Sequence, residues 1–105
     1  CFPGDNWPGL RYTMATEFEW DDDKAARNLA KHGVSFQEAR TVFDDSLYVD
    51  FYDPDHSDGE ERYIIIGQSA QRRLLFVSYL ERGRRTRLIS AREATRREKV
   101  VYEEG

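Results

Sequence analysis

The sequence predicts a single α+β domain of two layers, in which a small antiparallel sheet carries two N-terminal helices and one C-terminal helix. Three observations predict this fold: a helix–glycine–helix pattern in the first half, alternating apolar and polar segments in the second, and helix-capping residues near the end. Strands that follow one another without intervening helices favour α+β over an alternating α/β architecture. A chain of 105 residues, 39% of them hydrophobic, can bury one modest core.

A short strand and a first helix begin the patterned region. Apolar and acidic residues alternate over 18–20, which predicts a strand. The three aspartates at 21–23 predict a helix N-terminus, because unpaired N–H groups and the helix dipole favour acidic side chains there. Gly33 predicts the end of this helix in the left-handed conformation. Helical spacing predicts a core-facing stripe made of Ala26, Leu29 and Ala30.

A second helix is predicted to begin directly after this glycine. Ser35 is its expected N-cap, and Glu38 follows three residues later, as in a capping box. The polar run at 44–46 predicts where the helical region ends. One apolar face of this helix is expected to consist of Phe36, Ala39 and Phe43.

The rest of the chain predicts an antiparallel meander and a final helix. Alternation and β-branched or aromatic residues predict strands at 47–52, 62–67, 74–81 and 86–91. The connections are expected at 68–73 and 82–84. The final helix is predicted to begin near Ser90 or Thr95, since each is followed by a glutamate three residues later.

Residues 1–13 differ from the patterned region, 14–105, which we expect to be the single domain. They contain two prolines and two glycines without periodicity and precede the only methionine, Met14. We interpret them as a leader or cloning remnant; a functional arm is the alternative. The only cysteine is Cys1, and no apolar run approaches the ~18 residues that span a bilayer. These features favour a cytoplasmic protein without membrane contact.

The distribution of charge points to a polyanion. The net charge is −4, but residues 14–61 carry 14 acidic and 4 basic side chains, whereas 62–105 carry 11 basic and 5 acidic ones. Ten of those eleven basic residues are arginine, which makes forked contacts with phosphate. A solvated charged surface is the plain alternative.

The acidic segment 53–59 resembles a calcium loop but lacks its spacing. An EF-hand loop needs glycine at position six and glutamate at position twelve, where this chain has Asp58 and Ile64. Without cysteine pairs or a glycine-rich phosphate loop, the sequence predicts neither a metal nor a cofactor. His56 in this segment can still move protons near neutral pH, although a lone loop histidine is usually only solvated.

Arginine and tyrosine interrupt the apolar pattern of the predicted sheet. One interpretation is that these charges simply end the strands; the other is a phosphate-holding face formed by Arg62, Tyr79, Arg87 and Arg92. Strict alternation places Arg87 on one face of the last strand and Arg92 on the other. A small enzyme without metal or cofactor can cleave RNA through the 2′-hydroxyl of the substrate, which supplies the nucleophile.

Long stretches of the chain resemble the BrnT toxins of BrnT–BrnA type II toxin–antitoxin modules. The resemblance covers roughly 17–103 and is carried by FEWDDDKAARNLAKHGVSFQEARTVFDD, DPDHSDGEERYIIIG and RLISAREATRREKVVYE. Its most specific pieces are Trp20-Asp21, Lys31-His32-Gly33-Val34 with Phe36, Glu61-Arg62-Tyr63 and Ile89-Ser90-Ala91-Arg92.

The resemblance implies a fold, an activity and partners. The fold would be RelE-like, and the activity a metal-independent endoribonuclease that arrests growth. The partner would be a BrnA-like ribbon-helix-helix antitoxin, with toxin homodimers inside a heterotetramer and DNA bound only through the antitoxin. A non-catalytic module that binds antitoxin or RNA is the alternative.

For RNA cleavage we assign candidate roles to six residues. Attack by the 2′-hydroxyl needs a stabiliser of phosphorane charge, a base and an acid. Arg62 and Arg92 are expected to hold the phosphate, assisted by Arg87. Glu61 or His56 would be the base, and Tyr79 the acid.

Overall fold

A computed structural model describes residues 17–57 and 59–105, so the predicted leader at 1–13 lies outside the described residues. The helices and strands are, in chain order, β1 (Glu17–Glu19), α1 (Asp22–His32), α2 (Phe36–Arg40), β2 (Val49–Tyr52), β3 (Arg62–Gln68), β4 (Leu74–Arg82), β5 (Arg85–Glu93) and α3 (Arg96–Glu104). Short 3₁₀ turns lie at Thr41–Asp44 and Pro54–His56. Among the described helices, none has both the length and the apolar character needed to cross a bilayer.

The five strands form one sheet in the order β1-β5-β4-β3-β2. The predicted α+β fold is confirmed, with antiparallel pairing from β2 to β5. The sheet is nevertheless mixed, because β1 pairs with β5 in parallel, with Glu19 opposite Arg87. Short connections make the later strands antiparallel, whereas β1 pairs with β5, a strand far away in the sequence, and is free to be parallel to it.

One face of the sheet carries the core. It packs against α1, α2 and the following 3₁₀ turn. Phe43 makes edge-to-face contacts at its centre, with ring centroids 5.1 Å from both Phe18 and Tyr79. The final helix, α3, instead lies toward the opposite face, where Arg92 stacks over Phe76 and binds the first turn of α3. The helices therefore add a partial third layer to the two that were predicted.

The predicted apolar stripe of α1 is wrong. Ala26, Leu29 and Ala30 are exposed, and Leu29 is 51% exposed. The buried residue of α1 is Asn28, whose amide nitrogen donates to the carbonyls of Val34 and Ala91, at 2.9 and 2.8 Å. Its amide oxygen accepts from the backbone N–H of Ala91. A polar side chain thus fixes α1 to β5, because its hydrogen bonds compensate for burial.

Most predicted helix ends are confirmed by their caps. Asp21 accepts backbone hydrogen bonds at the start of α1, and Gly33 ends that helix with φ 71°. Of the two alternatives for α3, Thr95 is the N-cap and forms a capping box with Glu98.

The second helix departs from its predicted capping box. Ser35 does cap α2 by accepting from the backbone N–H of Glu38. The carboxylate of Glu38, however, turns into the core, where it accepts hydrogen bonds from Arg73 and from the Ser69 hydroxyl. This contact joins α2 to the β3–β4 connection.

Candidate functional site

The sheet face opposite the core carries a polar cleft of about 520 Å³. It lies near the ends of β3, β4 and β5 that are close to the β4–β5 hairpin. We call it the arginine cleft. Its lining combines four cations, three carboxylates and two apolar side chains: Lys24, Arg62, Arg82, Arg87, Glu60, Glu61, Glu81, Leu80 and Ile89.

Arg62 and Arg87 flank the floor of this cleft. Arg62 on β3 and Arg87 on β5 are both register partners of Leu80 on β4. The three side chains therefore lie side by side on the same face of the sheet. Two strand spacings separate the arginine backbones by about 10 Å. Leu80 is buried, while the arginine side chains are 28% and 29% exposed. Two partly exposed arginine side chains thus lie on either side of an apolar floor.

A β-bulge corrects the predicted facing of the β5 arginines. Ser78 pairs with Ser90, but the next residue, Tyr79, pairs with Leu88, so Ile89 is an extra residue on β5. The insertion reverses the alternation beyond it. As a result Arg92, opposite Phe76, lies on the same face as Arg87, contrary to the prediction from strict alternation.

Although it shares that face, Arg92 is not among the residues that line the arginine cleft. Its two terminal nitrogens each donate to Glu98 at 2.8 Å, and its guanidinium lies 4.1 Å from the centroid of the Phe76 ring. The hydrogen bond that Arg92 donates to Glu98 raises the pKa of Arg92, and the same contact lowers the pKa of Glu98. Arg92 therefore joins α3 to the sheet.

Carboxylates neutralise part of the positive charge of the arginines in and beside the cleft. Arg62 donates to Glu60 at 2.9 Å. Glu19 lies within 3.4–3.6 Å of three guanidinium groups, those of Arg82, Arg85 and Arg87. Glu19, Lys24 and Arg82 were not predicted as site residues from the sequence. No local pattern could have revealed them, because Glu19 and Arg82 meet through the parallel β1–β5 pairing and the β4–β5 hairpin, and Lys24 reaches the cleft from α1.

Glu61 lines the arginine cleft and also contacts Tyr63, whose side chain lies on the core side of the sheet. Its carboxylate accepts a hydrogen bond from the Tyr63 hydroxyl at 3.5 Å. The charge of Glu61, with partial burial and the charge of Glu81, raises the pKa of Tyr63. Glu61 is thus an exposed acceptor at the rim of the cleft.

His56 lies in the 3₁₀ turn before β3 and outside the cleft lining. Its Nδ1 lies 2.9 Å from Asp53 Oδ2, and its side chain is 68% exposed. The Ser57 hydroxyl ties this turn to β3 by accepting from the backbone N–H of Arg62. Within 17–57 and 59–105, no three His, Cys, Asp or Glu residues are grouped so as to hold a metal ion.

The side chain of Tyr79, on β4, lies on the core face of the sheet, opposite the arginine cleft. It is 4% exposed in the core, where it stacks on Tyr63 with ring centroids 5.7 Å apart. Its hydroxyl donates to Asp50 Oδ2 at 3.3 Å. The structure therefore brings together Arg62, Arg87 and Glu61 but separates them from Tyr79 and His56.

Comparison with protein families identifies the class first: the chain belongs to the ribonuclease toxins of type II toxin–antitoxin systems. The particular family is BrnT, and its family model matches residues 20–98. Membership implies an RNA substrate and an antitoxin partner.

The fold is also similar to the 1.1 Å crystal structure of the Brucella abortus ribonuclease toxin BrnT. The TM-score is 0.57 at 23% sequence identity, and the alignment covers 79% of this chain and 100% of that one. A sequence search of curated proteins gave no match. The likeness to RelE stays a prediction.

Proposed function

We propose that this toxin is a metal-independent endoribonuclease whose active site is the arginine cleft. The observation that carries the proposal is the row of Arg62, Leu80 and Arg87, which sets two cations around an apolar floor. The 2′-hydroxyl oxygen of RNA attacks the adjacent phosphorus, and the bond from phosphorus to the 5′-oxygen breaks. The products are a 2′,3′-cyclic phosphate and a 5′-hydroxyl.

Charge on the phosphorane is the main demand of this reaction. The non-bridging oxygens gain negative charge as the fifth bond forms, and fixed cations then stabilise the transition state more than the ground state. Arg62 and Arg87 are suited to this because arginine donates two parallel hydrogen bonds to phosphate. Arg92 would take part only if RNA displaced Glu98 from its guanidinium.

Proton transfer requires a base and an acid within reach of the phosphate. Glu61 at the rim is the base that we favour, since His56 does not line the cleft. Tyr79 lies on the core face of the sheet, so we favour another proton donor as the acid. Lys24 is the ammonium group in the lining, and we assign it the role of protonating the leaving 5′-oxygen.

The partners in this proposal follow from the family. A type II toxin is paired with a protein antitoxin. We propose a BrnA-like ribbon-helix-helix antitoxin that contacts DNA itself, so that the toxin meets DNA only in the complex, as a homodimer within a heterotetramer. Cytoplasmic RNA would be the substrate.

Cleavage of a defined RNA by the purified protein in EDTA tests the proposal. The expected ends are a cyclic phosphate and a 5′-hydroxyl. Arg62→Ala and Arg87→Ala should each lower the single-turnover rate at saturating protein by about 10²–10³, the usual cost of losing one preorganised donor. Arg84→Ala is the matched control, because Arg84 is exposed at the hairpin and does not line the cleft.

Three results would contradict parts of the proposal. Cleavage that EDTA abolishes and Mg²⁺ restores would exclude the metal-independent mechanism. Folded variants that cleave at the parent rate would place the active site elsewhere. RNA that is bound but never cleaved would favour the non-catalytic module.

A further inference from the structure

We propose that Phe51, which lies beside the arginine cleft but outside its lining, is a base-stacking residue that selects single-stranded RNA with one base turned out against its ring. The inference deepens the proposed function and rests on RNA being the substrate. Phe51 lies on β2, at the edge of the sheet, and the residue is 42% exposed. Nothing in the proposed chemistry yet uses this side chain.

The strand register brings Phe51 beside the phosphate-binding arginines. Phe51 pairs directly with Ile64, which follows Arg62 by two residues on β3. All three side chains therefore share the face opposite the core, and Phe51 is a diagonal neighbour of Arg62 at a Cα distance of about 7–8 Å. A nucleotide spans such a distance between its phosphate and its base.

The next residue provides an internal comparison. Tyr52 has a similar exposure, 47%, but points to the other face. There its ring packs edge-on against Tyr63, at 5.7 Å and 67°. Phe51 is thus an exposed aromatic residue on the sheet face that carries Arg62 and Arg87, whereas Phe76 on the same face is covered by Arg92.

Stacking on Phe51 suits the chemistry of this cleavage. Unpaired RNA bases stack on aromatic side chains, whereas a duplex keeps its bases within its own stack. In-line attack needs the 2′-oxygen, the phosphorus and the leaving 5′-oxygen nearly collinear, and a stacked helical strand does not adopt that arrangement. A base held on Phe51 would release the backbone at the neighbouring phosphate, which Arg62 and Arg87 contact.

Binding of a non-cleavable probe tests the inference separately from catalysis. The probe is a fully 2′-O-methylated single-stranded RNA 12-mer, which lacks the nucleophile. Phe51→Ala and Phe51→Leu should weaken its binding about fivefold to 100-fold, because aromatic stacking on a base is lost while Leu keeps the apolar bulk. Phe51→Trp should retain affinity, and the probe should quench its fluorescence more than that of the parent, which already contains two tryptophans.

Tyr52→Leu is the matched control and should bind the single strand as the parent does. Binding of a duplex with the same sequence should not change in Phe51→Leu. If Phe51→Leu binds the single strand with parental affinity while Arg62→Ala weakens it, the stacking role is wrong and the arginine cleft stands. If the parent binds the probe but cleaves no RNA, the catalytic proposal fails, and loss of binding in Phe51→Leu still supports stacking. A parent that binds no RNA overturns both.

Discussion

Glu19 and Arg87 are direct partners across the parallel strands β1 and β5, and Glu19 Oε2 lies 3.5 Å from Arg87 Nη1. The Glu19 side chain is 23% exposed, and the same carboxylate reaches Arg82 and Arg85. It therefore neutralises part of the positive charge of the arginine cleft. It also restricts the orientation of Arg87 before any substrate is bound.

Glu19→Gln is expected to separate RNA binding from cleavage. Removing one negative charge beside Arg87, at the proposed phosphate site, should tighten RNA binding about threefold to fivefold at low salt and near-aqueous dielectric. The single-turnover cleavage rate of bound RNA should fall, because Arg87 loses the partner that orients it. Titration across several salt concentrations and single-turnover kinetics measure the two effects.

The neighbouring acid on β1 provides the control for that experiment. Glu17 lies 3.6 Å from Arg85, which does not line the arginine cleft, and the Glu17 side chain is 70% exposed. Glu17→Gln should change both quantities much less than Glu19→Gln. Weaker RNA binding by Glu19→Gln would show that Glu19 does not oppose the bound phosphate.

Arg92 and Glu98 are expected to stabilise the fold more than they serve catalysis. Arg92→Ala and Glu98→Gln should each lower the free energy of unfolding by about 1–2 kcal/mol, since charge-assisted hydrogen bonds are lost at a partly exposed site. The double variant should cost less than the sum, because both changes break one contact. Urea denaturation of all four proteins measures this coupling.

Cleavage kinetics distinguish this role from the catalytic one expected from the sequence. Folded Arg92→Ala should keep its single-turnover rate within about tenfold of the parent, well short of the 10²–10³ that losing a preorganised catalytic donor costs. A loss as large as that of Arg62→Ala would restore Arg92 to the active site.

Helix ends could be predicted from the sequence because caps are local. Asp21, Gly33 and Thr95 act on backbone groups a few residues away, and all three are confirmed. The inward face of α1 could not be predicted in this way. Periodicity selects apolar residues, but here Asn28 is buried because carbonyls of Val34 and Ala91 lie where its amide can bind them.

Three members of the arginine cleft, Arg62, Arg87 and Glu61, could be predicted from the sequence, but the geometry of the cleft could not. Arg62 and Arg87 stood out by residue type in a phosphate-binding pattern. Their shared face depends on the register across β4, and the facing of Arg92 depends on the extra residue Ile89. A bulge of one residue has no reliable signature in a single sequence, yet it reverses the face of every residue beyond it.

Glu38 should make folding stability depend on acid pH. The hydrogen bond from Arg73 lowers the pKa of Glu38, outweighing the opposite effect of burial, and the side chain is 7% exposed. The folded state therefore favours the ionised carboxylate. Its stabilising effect is complete above the ordinary pKa of 4.5 and is lost as the pH falls through the lowered value.

Glu38→Gln tests this dependence. The variant should be less stable than the parent at pH 7, because the buried carboxylate that pairs with Arg73 is gone. The difference should shrink as the pH falls below about 4, since the parent then protonates the same group. Urea midpoints between pH 3 and pH 7 measure it. A constant difference over that range would contradict the assignment.

Tyr102 should act in the opposite direction, at alkaline pH. Its hydroxyl donates to Asp45 Oδ2 at 2.7 Å, and this hydrogen bond raises the pKa of Tyr102 from 10.0 to about 12. The folded state thus favours the neutral phenol. The stabilisation is complete below pH 10 and is lost as the pH rises toward 12.

Tyr102→Phe should lower the free energy of unfolding at pH 8 by about 1 kcal/mol, the usual net value of one hydrogen bond. The parent and Tyr102→Phe should converge between pH 10 and pH 12, which urea denaturation and tyrosine absorbance at 295 nm can follow together. Because Gln68 also donates to Asp45 through its backbone N–H, the carboxylate keeps a partner in the variant and the loop should stay folded. Equal stability of the two proteins at pH 8 would show that this hydrogen bond does not hold the end of α3.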